Sequence, residues 1–167
     1  GALLSAATLT VRRVKGIRRA AMAPQIPTKT GREAVLIDCG ATADCTPEFL
    51  LQFGLVGSVY AKKQLGVENP KVGLLNIGTE DSKGTALQKE AYALLAADKR
   101  LNFVGNVEAR EITHDQADVI VCDGFVGNVI LKFMEGVAGT LMGIIKKELL
   151  SDTRSKLGAL LAKPAFG

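Results

Sequence analysis

The sequence predicts an α/β protein, a layered and mainly parallel sheet flanked by helices. Short uninterrupted apolar runs, the pattern of strands buried on both faces, alternate with longer segments of helical spacing. These runs end in polar or glycine residues, and Gly makes up 18 of 167 residues, above the ~7% norm. Strands that alternate with helices pair in parallel through crossovers, and such sheets bind ligands at the carboxyl ends of their strands.

The elements follow in order. Leu3, Leu4, Ala7, Val11 and Val14 have helical spacing from the first residues, so the chain reads as starting inside a helix and as part of a longer protein. Pro24 and Pro27 mark an extended connection. Ala34-Val35-Leu36-Ile37-Asp38 is the first strand, and Thr46-Pro47 caps a helix to about Gln64, closed by Gly66. Val72-Gly73-Leu74-Leu75-Asn76 is the second strand; Thr85 and Gln88 have capping-box spacing, with Leu87, Ala91, Leu94 and Leu95 on one helical face. Leu101-Asn102-Phe103-Val104 is the third strand, ending at Gly105-Asn106, and Thr113 to Gln116 caps a short turn. Asp118-Val119-Ile120-Val121-Cys122 is the fourth; a long helix then runs over 127–150, and a shorter one ends before Pro164. Two parts are expected: an α/β core over 1–135 and a helical hairpin over 136–167.

Composition narrows the functional classes. Apolar residues are 47% and charged residues 23%, which is globular usage. The longest uncharged run, 49–61, falls short of the ~20 residues that span a bilayer, so an integral membrane protein is not expected. Cys39, Cys45 and Cys122 form no close pair and His114 is the single histidine, so a Cys/His metal site is not expected and the thiols read as reduced, intracellular, buried hydrophobes. Residues 1–32 hold seven basic groups and no acid, and the remainder has 14 basic and 17 acidic groups. Aromatics are 5% with no Trp, so the basic cluster lacks the stacking platforms of a single-stranded nucleic-acid reader. An acidic protein, an anionic membrane surface or plain solvation of the cluster remain.

The chemistry gathers at the strand ends, Asp38-Cys39-Gly40, Asn76-Ile77-Gly78, Gly105-Asn106 and Asp123-Gly124. Glycines admit close backbone approach, and the helix starts that follow present free N–H groups that suit phosphate. Ser82-Lys83-Gly84 adds a hydroxyl and a cation; Gly124-Phe125-Val126-Gly127-Asn128 adds a glycine-framed turn, with Lys132 one turn further. The alternative is ordinary loop chemistry. Neither a Walker loop nor a dinucleotide glycine fingerprint occurs. Ser58 and Ser82 lack a nucleophile elbow and His114 lies in a polar stretch, so acyl chemistry here fits direct attack by a bound oxyanion better than a covalent enzyme intermediate.

Three segments together resemble one family: 72–78 with 80–84, 102–108, and 121–129 with Leu131-Lys132. The opening Gly1-Ala2-Leu3-Leu4 and Gly16-Ile17-Arg18-Arg19 match as well. This is the pattern of the bacterial phosphate acyltransferase (PlsX) family. The resemblance implies a fold similar to the phosphotransacetylase and isocitrate/isopropylmalate dehydrogenase group. It also implies reversible transfer of a fatty acyl group from acyl carrier protein to inorganic phosphate, without a cofactor. The acyl phosphate would feed a membrane glycerol-3-phosphate acyltransferase; the protein would be homodimeric, cytoplasmic and peripherally membrane-associated. The family pattern has Gly where this chain has Ala109, and its Asp- and Gly-rich first strand and its C-terminal part lie outside this sequence, so the chain is not expected to complete the active site alone.

Carried onto this sequence, the resemblance implies phosphate near Ser82, Lys83, Gly84, Gly124 and Gly127, with Lys83 or Lys132 supplying charge and Asn106 and Asn128 orienting the thioester carbonyl or stabilising its oxyanion. Asp38, Glu108 and Asp123 would order those donors. Arg12, Arg13, Lys15, Arg18 and Arg19 would meet the acidic carrier protein, and Leu157, Leu160 and Leu161 a membrane or a dimer partner. The rival readings are transfer from acyl-coenzyme A, a nicotinamide-dependent dehydrogenase of related fold, and a non-catalytic carrier- or membrane-binding module.

Overall fold

A computed structural model describes residues 6–165. They fall into two compact units, Gly1–Ile130 and Leu131–Gly167. The first holds a five-stranded sheet: β1 (Gln25–Pro27), β2 (Glu33–Ile37), β3 (Lys71–Asn76), β4 (Asn102–Glu108) and β5 (Val119–Val121). Its order is β1-β2-β5-β3-β4, with β1 antiparallel and all other neighbours parallel. The carboxyl ends of β2, β5, β3 and β4 therefore share one edge. The helices are α1 (Pro47–Gln64), α2 (Ala86–Ala97), α3 (Gly124–Leu149), which starts in the first unit and ends in the second, and α4 (Thr153–Ala162).

Period-two burial explains the layers. Val35, Ile37, Val72, Leu74, Val119 and Val121 face α1 and α2 and pack on Leu50, Phe53, Ala61, Ala91 and Leu95. Each fully buried aliphatic contributes about 1.5–3 kcal/mol. Helix α1 lies close because Gly57 has no Cβ; one there would stand 2.5 Å from Val119 Cγ1. Proline opens α1 as expected, and Gln88 accepts the Thr85 N–H at 3.1 Å to start α2.

Several boundaries differ from expectation. The 24–27 connection supplies β1, an edge strand where proline is tolerated. The opening helix is a five-residue π-helix, Ala7–Val11, ended by Arg12 at φ +66; Leu3 and Leu4 lie outside the described residues. The third strand continues past Gly105-Asn106 to Glu108: Phe103 pairs with Val72 but Gly105 with Gly73, so Val104 bulges out and Gly105, at φ +93, absorbs the kink. Helix α3 begins three residues early, at Gly124. It is also long and apolar enough to cross a membrane by length and composition, since Lys132 and Glu135 are its only charges over 124–145.

At the amino edge, Asp118 joins the strands by accepting the Lys71 N–H at 2.8 Å and pairing with Arg32 at 2.7 Å. Nearby, Asp115 Oδ1 accepts the Thr28 hydroxyl at 2.6 Å, clasping the 28–32 turn to the β4–β5 connection. That bond, helped by Thr30, Arg32 and Lys29, holds the Asp115 carboxyl below its ordinary range. A depressed folded-state pKa stabilises at pH above the unfolded value and is lost as pH falls through the folded one. Thermal unfolding of Thr28→Val should therefore fall below wild type at neutral pH and converge with it in acid; a gap constant with pH would remove the clasp.

Candidate functional site at the carboxyl edge of the sheet

Asp38 is the hub of the β2 side. It is fully buried; Oδ1 accepts the Met22 and Ala41 N–H groups at 2.8 and 3.1 Å, and Oδ2 accepts the Thr42 N–H at 2.7 Å. The Thr42 carbonyl in turn accepts the Gly124 N–H at 2.8 Å, seating the start of α3. Asp123 caps that helix, its Oδ1 accepting the Val126 N–H at 2.8 Å. Asn128 brings its side chain against Gly40: a Cβ on Gly40 would lie 3.5 Å from Asn128 Oδ1. Asp38, Asp123, Gly124 and Asn128 thus form one constellation.

The glycine at 127 has a different role from the expected one. Its N–H donates to the Asp123 carbonyl at 3.0 Å, so it is not a free phosphate donor. What it supplies is the absence of a side chain, since a Cβ would fall 1.9 Å from the Asp38 carbonyl oxygen. Gly124 is confined too, though less tightly: a Cβ there would stand 2.7 Å from the Thr42 carbonyl oxygen.

The β3 side is built around Asn76. Its Oδ1 accepts the Ile77 N–H at 2.8 Å and its Nδ2 donates to the Lys83 carbonyl at 3.1 Å, folding loop 77–84 back on the strand end. Gly84, at φ +88, closes the loop where a Cβ would stand 2.6 Å from Asn76 Oδ1. The Lys83 N–H donates to the Glu80 carbonyl at 3.2 Å, so it too is taken. The Ser82 and Lys83 side chains are exposed, and among the described residues the Lys83 ammonium has no ion-pair partner. Lys132, in the second unit, pairs with Glu135 at 2.7 Å. Of the two expected cations, Lys83 is the one left uncommitted.

Asn106 supports this loop from β4. It is 6% exposed and donates Nδ2 to the Glu80 carbonyl at 2.7 Å, while its buried Oδ1 has no partner. Glu108, opposite Asn76 in the ladder, is held by Arg110 at 2.7 Å. Leu74 pairs with Val121, so the ends of β3 and β5 are neighbours, about 5 Å apart.

The three thiols are not poised for attack. Burial, then Asp38, pushes Cys39 up to about 12; burial, offset by a Gly124 backbone bond, pushes Cys45 up to about 11; burial drives Cys122 well above its ordinary value. Thiols so raised stay protonated at neutral pH.

The carrier-binding candidates Arg12, Arg13, Lys15, Arg18 and Arg19 are all exposed. Arg13 donates to the Arg18 carbonyl, the Arg18 N–H donates to Gln52 at 2.8 Å, and the Arg19 guanidinium lies 5.7 Å from the Phe49 ring centroid. In the second unit, Leu157, Leu160 and Leu161 are exposed on α4, which Asp152 caps through Arg154 and Ser155. The sequence reading missed Asn76 and Thr42 as loop organisers; Asn76 sits in the quoted strand-end motif, whereas nothing local marks Thr42.

Solved structures share this architecture. The EutD phosphotransacetylase from Staphylococcus aureus superposes with a TM-score of 0.58 at 19% identity, over 80% of this chain and 46% of that one. A phosphotransacetylase from Streptococcus pyogenes gives 0.58 at 22% identity, over 74% and 43%. The fold is of the phosphotransacetylase type. The model of the family described as fatty acid synthesis protein matches residues 1–167, and the chain belongs to that family. The phosphate acyltransferases of Alkaliphilus oremlandii and Clostridium kluyveri are 55% and 52% identical over 166 residues, 99% of this chain and 49% of each relative. The chain spans about half the length of the curated relatives it matches.

Proposed function

We propose that the full-length protein transfers a fatty acyl group from an acyl carrier protein thioester to inorganic phosphate. The observation that carries this reading is the 55–52% identity to phosphate acyltransferases across 99% of the chain, which includes every strand-end loop described above. A phosphate oxygen attacks the thioester carbonyl carbon, the C–S bond breaks, acyl phosphate forms and the carrier thiolate leaves to take a proton. Phosphate arrives as an anion, so no general base is needed, and the raised thiols of this chain fit direct transfer.

In this scheme the Lys83 ammonium and Ser82 hydroxyl hold phosphate, with Gly84 shaping their loop. The Asn128 amide orients the thioester carbonyl. Asn106 acts as a positioning residue, holding the loop through Glu80. Asp38, Asp123 and Glu108 hold backbone and Arg110 rather than substrate. Lys132 is the weaker candidate because of its Glu135 pair. The exposed basic segment 12–19 suits an acidic carrier protein. The exposed apolar residues of α3 and α4 suit a dimer contact or an anionic membrane surface; in the second case a cytoplasmic enzyme would work beside the membrane acyltransferase that consumes its product.

The test incubates full-length protein with acyl carrier thioester and phosphate and traps acyl phosphate as hydroxamate, beside an acyl-coenzyme A control. Phosphate-dependent hydroxamate from the carrier substrate is expected. Product from coenzyme A alone would replace the donor, and none from either would end the reading. Lys83→Ala should lower the rate roughly 100-fold with the unfolding temperature unchanged. Undiminished turnover would take Lys83 out of the mechanism.

A further inference from the structure

A cleft of about 440 Å³ opens at the carboxyl edge of the first unit. Ala43 and Cys45 line it from the loop before α1, Leu87 from α2, and Phe125 and Val126 from the first turn of α3. Its two charged lining residues, Asp44 and Asp123, are both acidic. The volume lies within the ~300–1,000 Å³ of small-molecule sites. Phe125 is 66% exposed there, a large apolar ring that the polar constellation does not use.

Two carboxylates without a cation repel phosphate, which belongs instead with Lys83 on the neighbouring loop. An apolar wall with an anion-rejecting rim suits an uncharged hydrocarbon. Phe125 and Asn128 are three residues apart on α3 and so share a face, and Asn128 lies beside Gly40, where an added Cβ would stand 3.5 Å from its Oδ1, in the loop that also supplies Ala43. A chain lying in the cleft would thus emerge beside the amide assigned to the thioester carbonyl. Resting on the transfer reading above, we infer that this cleft holds the alkyl chain of the fatty thioester, and that Ala43, Leu87 and Phe125 set the accepted chain length.

The test compares butyryl and palmitoyl carrier thioesters with full-length wild type, Ala43→Trp and Phe125→Ala. Ala43 is exposed, so its replacement fills the cleft without entering the core. Both variants should raise KM for the palmitoyl substrate roughly tenfold, the loss of about two buried methylenes, while KM for butyryl substrate and for phosphate stays within about twofold. Equal changes for both chain lengths would overturn the inference. Wild type that uses no carrier thioester would overturn the transfer reading instead. The cleft is then judged by photolabelling with a fatty acyl chain bearing a terminal diazirine: label on 43–45, 87 or 125–126 supports it, and label elsewhere rejects it.

Discussion

Gly127→Ala is expected to destabilise the protein by about 3 kcal/mol or more, a fall in unfolding temperature of roughly 6–12 °C. The added Cβ would stand 1.9 Å from the Asp38 carbonyl oxygen, 2.9 Å from its carbon and 2.8 Å from Cys122 Sγ. Nothing flexible is available to yield. The carbonyl belongs to a backbone pinned by three hydrogen bonds to its own carboxylate, and its N–H is bound to Cys122 at 3.0 Å. Relief requires α3 to lift from the β2 loop by about an ångström, taking Asn128 away from Gly40 and Gly124 from Thr42. Activity should therefore be lost beyond what the unfolded fraction explains. Gly136→Ala is the control: it lies in the same helix with nothing within 4 Å of the added Cβ, and should be neutral or stabilising by up to ~1 kcal/mol. A Gly127→Ala protein as stable as wild type would show that α3 does not rest on the Asp38 carbonyl.

The strand–helix alternation was legible because β2, β3 and β5 are buried on both faces, leaving uninterrupted apolar runs that no turn chemistry obscures. Asp38, Asp123 and Gly124 were legible as strand ends for the same reason. The 105–108 stretch was not: Gly-Asn reads locally as a stop, and only the pairing with β3, set by distant residues, carries the strand through a bulge. The split of roles between Lys83 and Lys132 depends on Glu135 bonding one of them, and spacing alone does not decide that contact. Gly127 looked like a ligand loop because glycine at a helix start serves both anion binding and close packing; the 1.9 Å approach separates the two. Asn106 likewise offered an amide without saying that Glu80 already receives it.

Asp38→Ala should cost about 4 kcal/mol, through loss of acceptors rather than loss of charge. Three backbone N–H groups, of Met22, Ala41 and Thr42, would lose their acceptor; that of Thr42 lies at a buried site where water has little access, and those of Met22 and Ala41 at partly buried ones. The effect propagates because the Thr42 carbonyl holds the Gly124 N–H, so the start of α3 and Asn128 lose their reference to the sheet. Asp38→Asn separates charge from geometry. Its carbonyl can still accept the Met22 and Ala41 N–H groups, but its NH₂ then faces the Thr42 N–H, donor against donor, at a cost of about 2 kcal/mol. Urea unfolding midpoints should rank wild type above Asn above Ala, and hydroxamate formation should fall in the same order. If Asp38→Asn matched wild type in both, the Thr42 contact would not hold α3, and Asn128 would have to be placed by Gly40 alone. If instead Asp38→Asn kept its stability and lost all turnover, the carboxylate itself would belong to the chemistry, with the three N–H bonds serving to aim it.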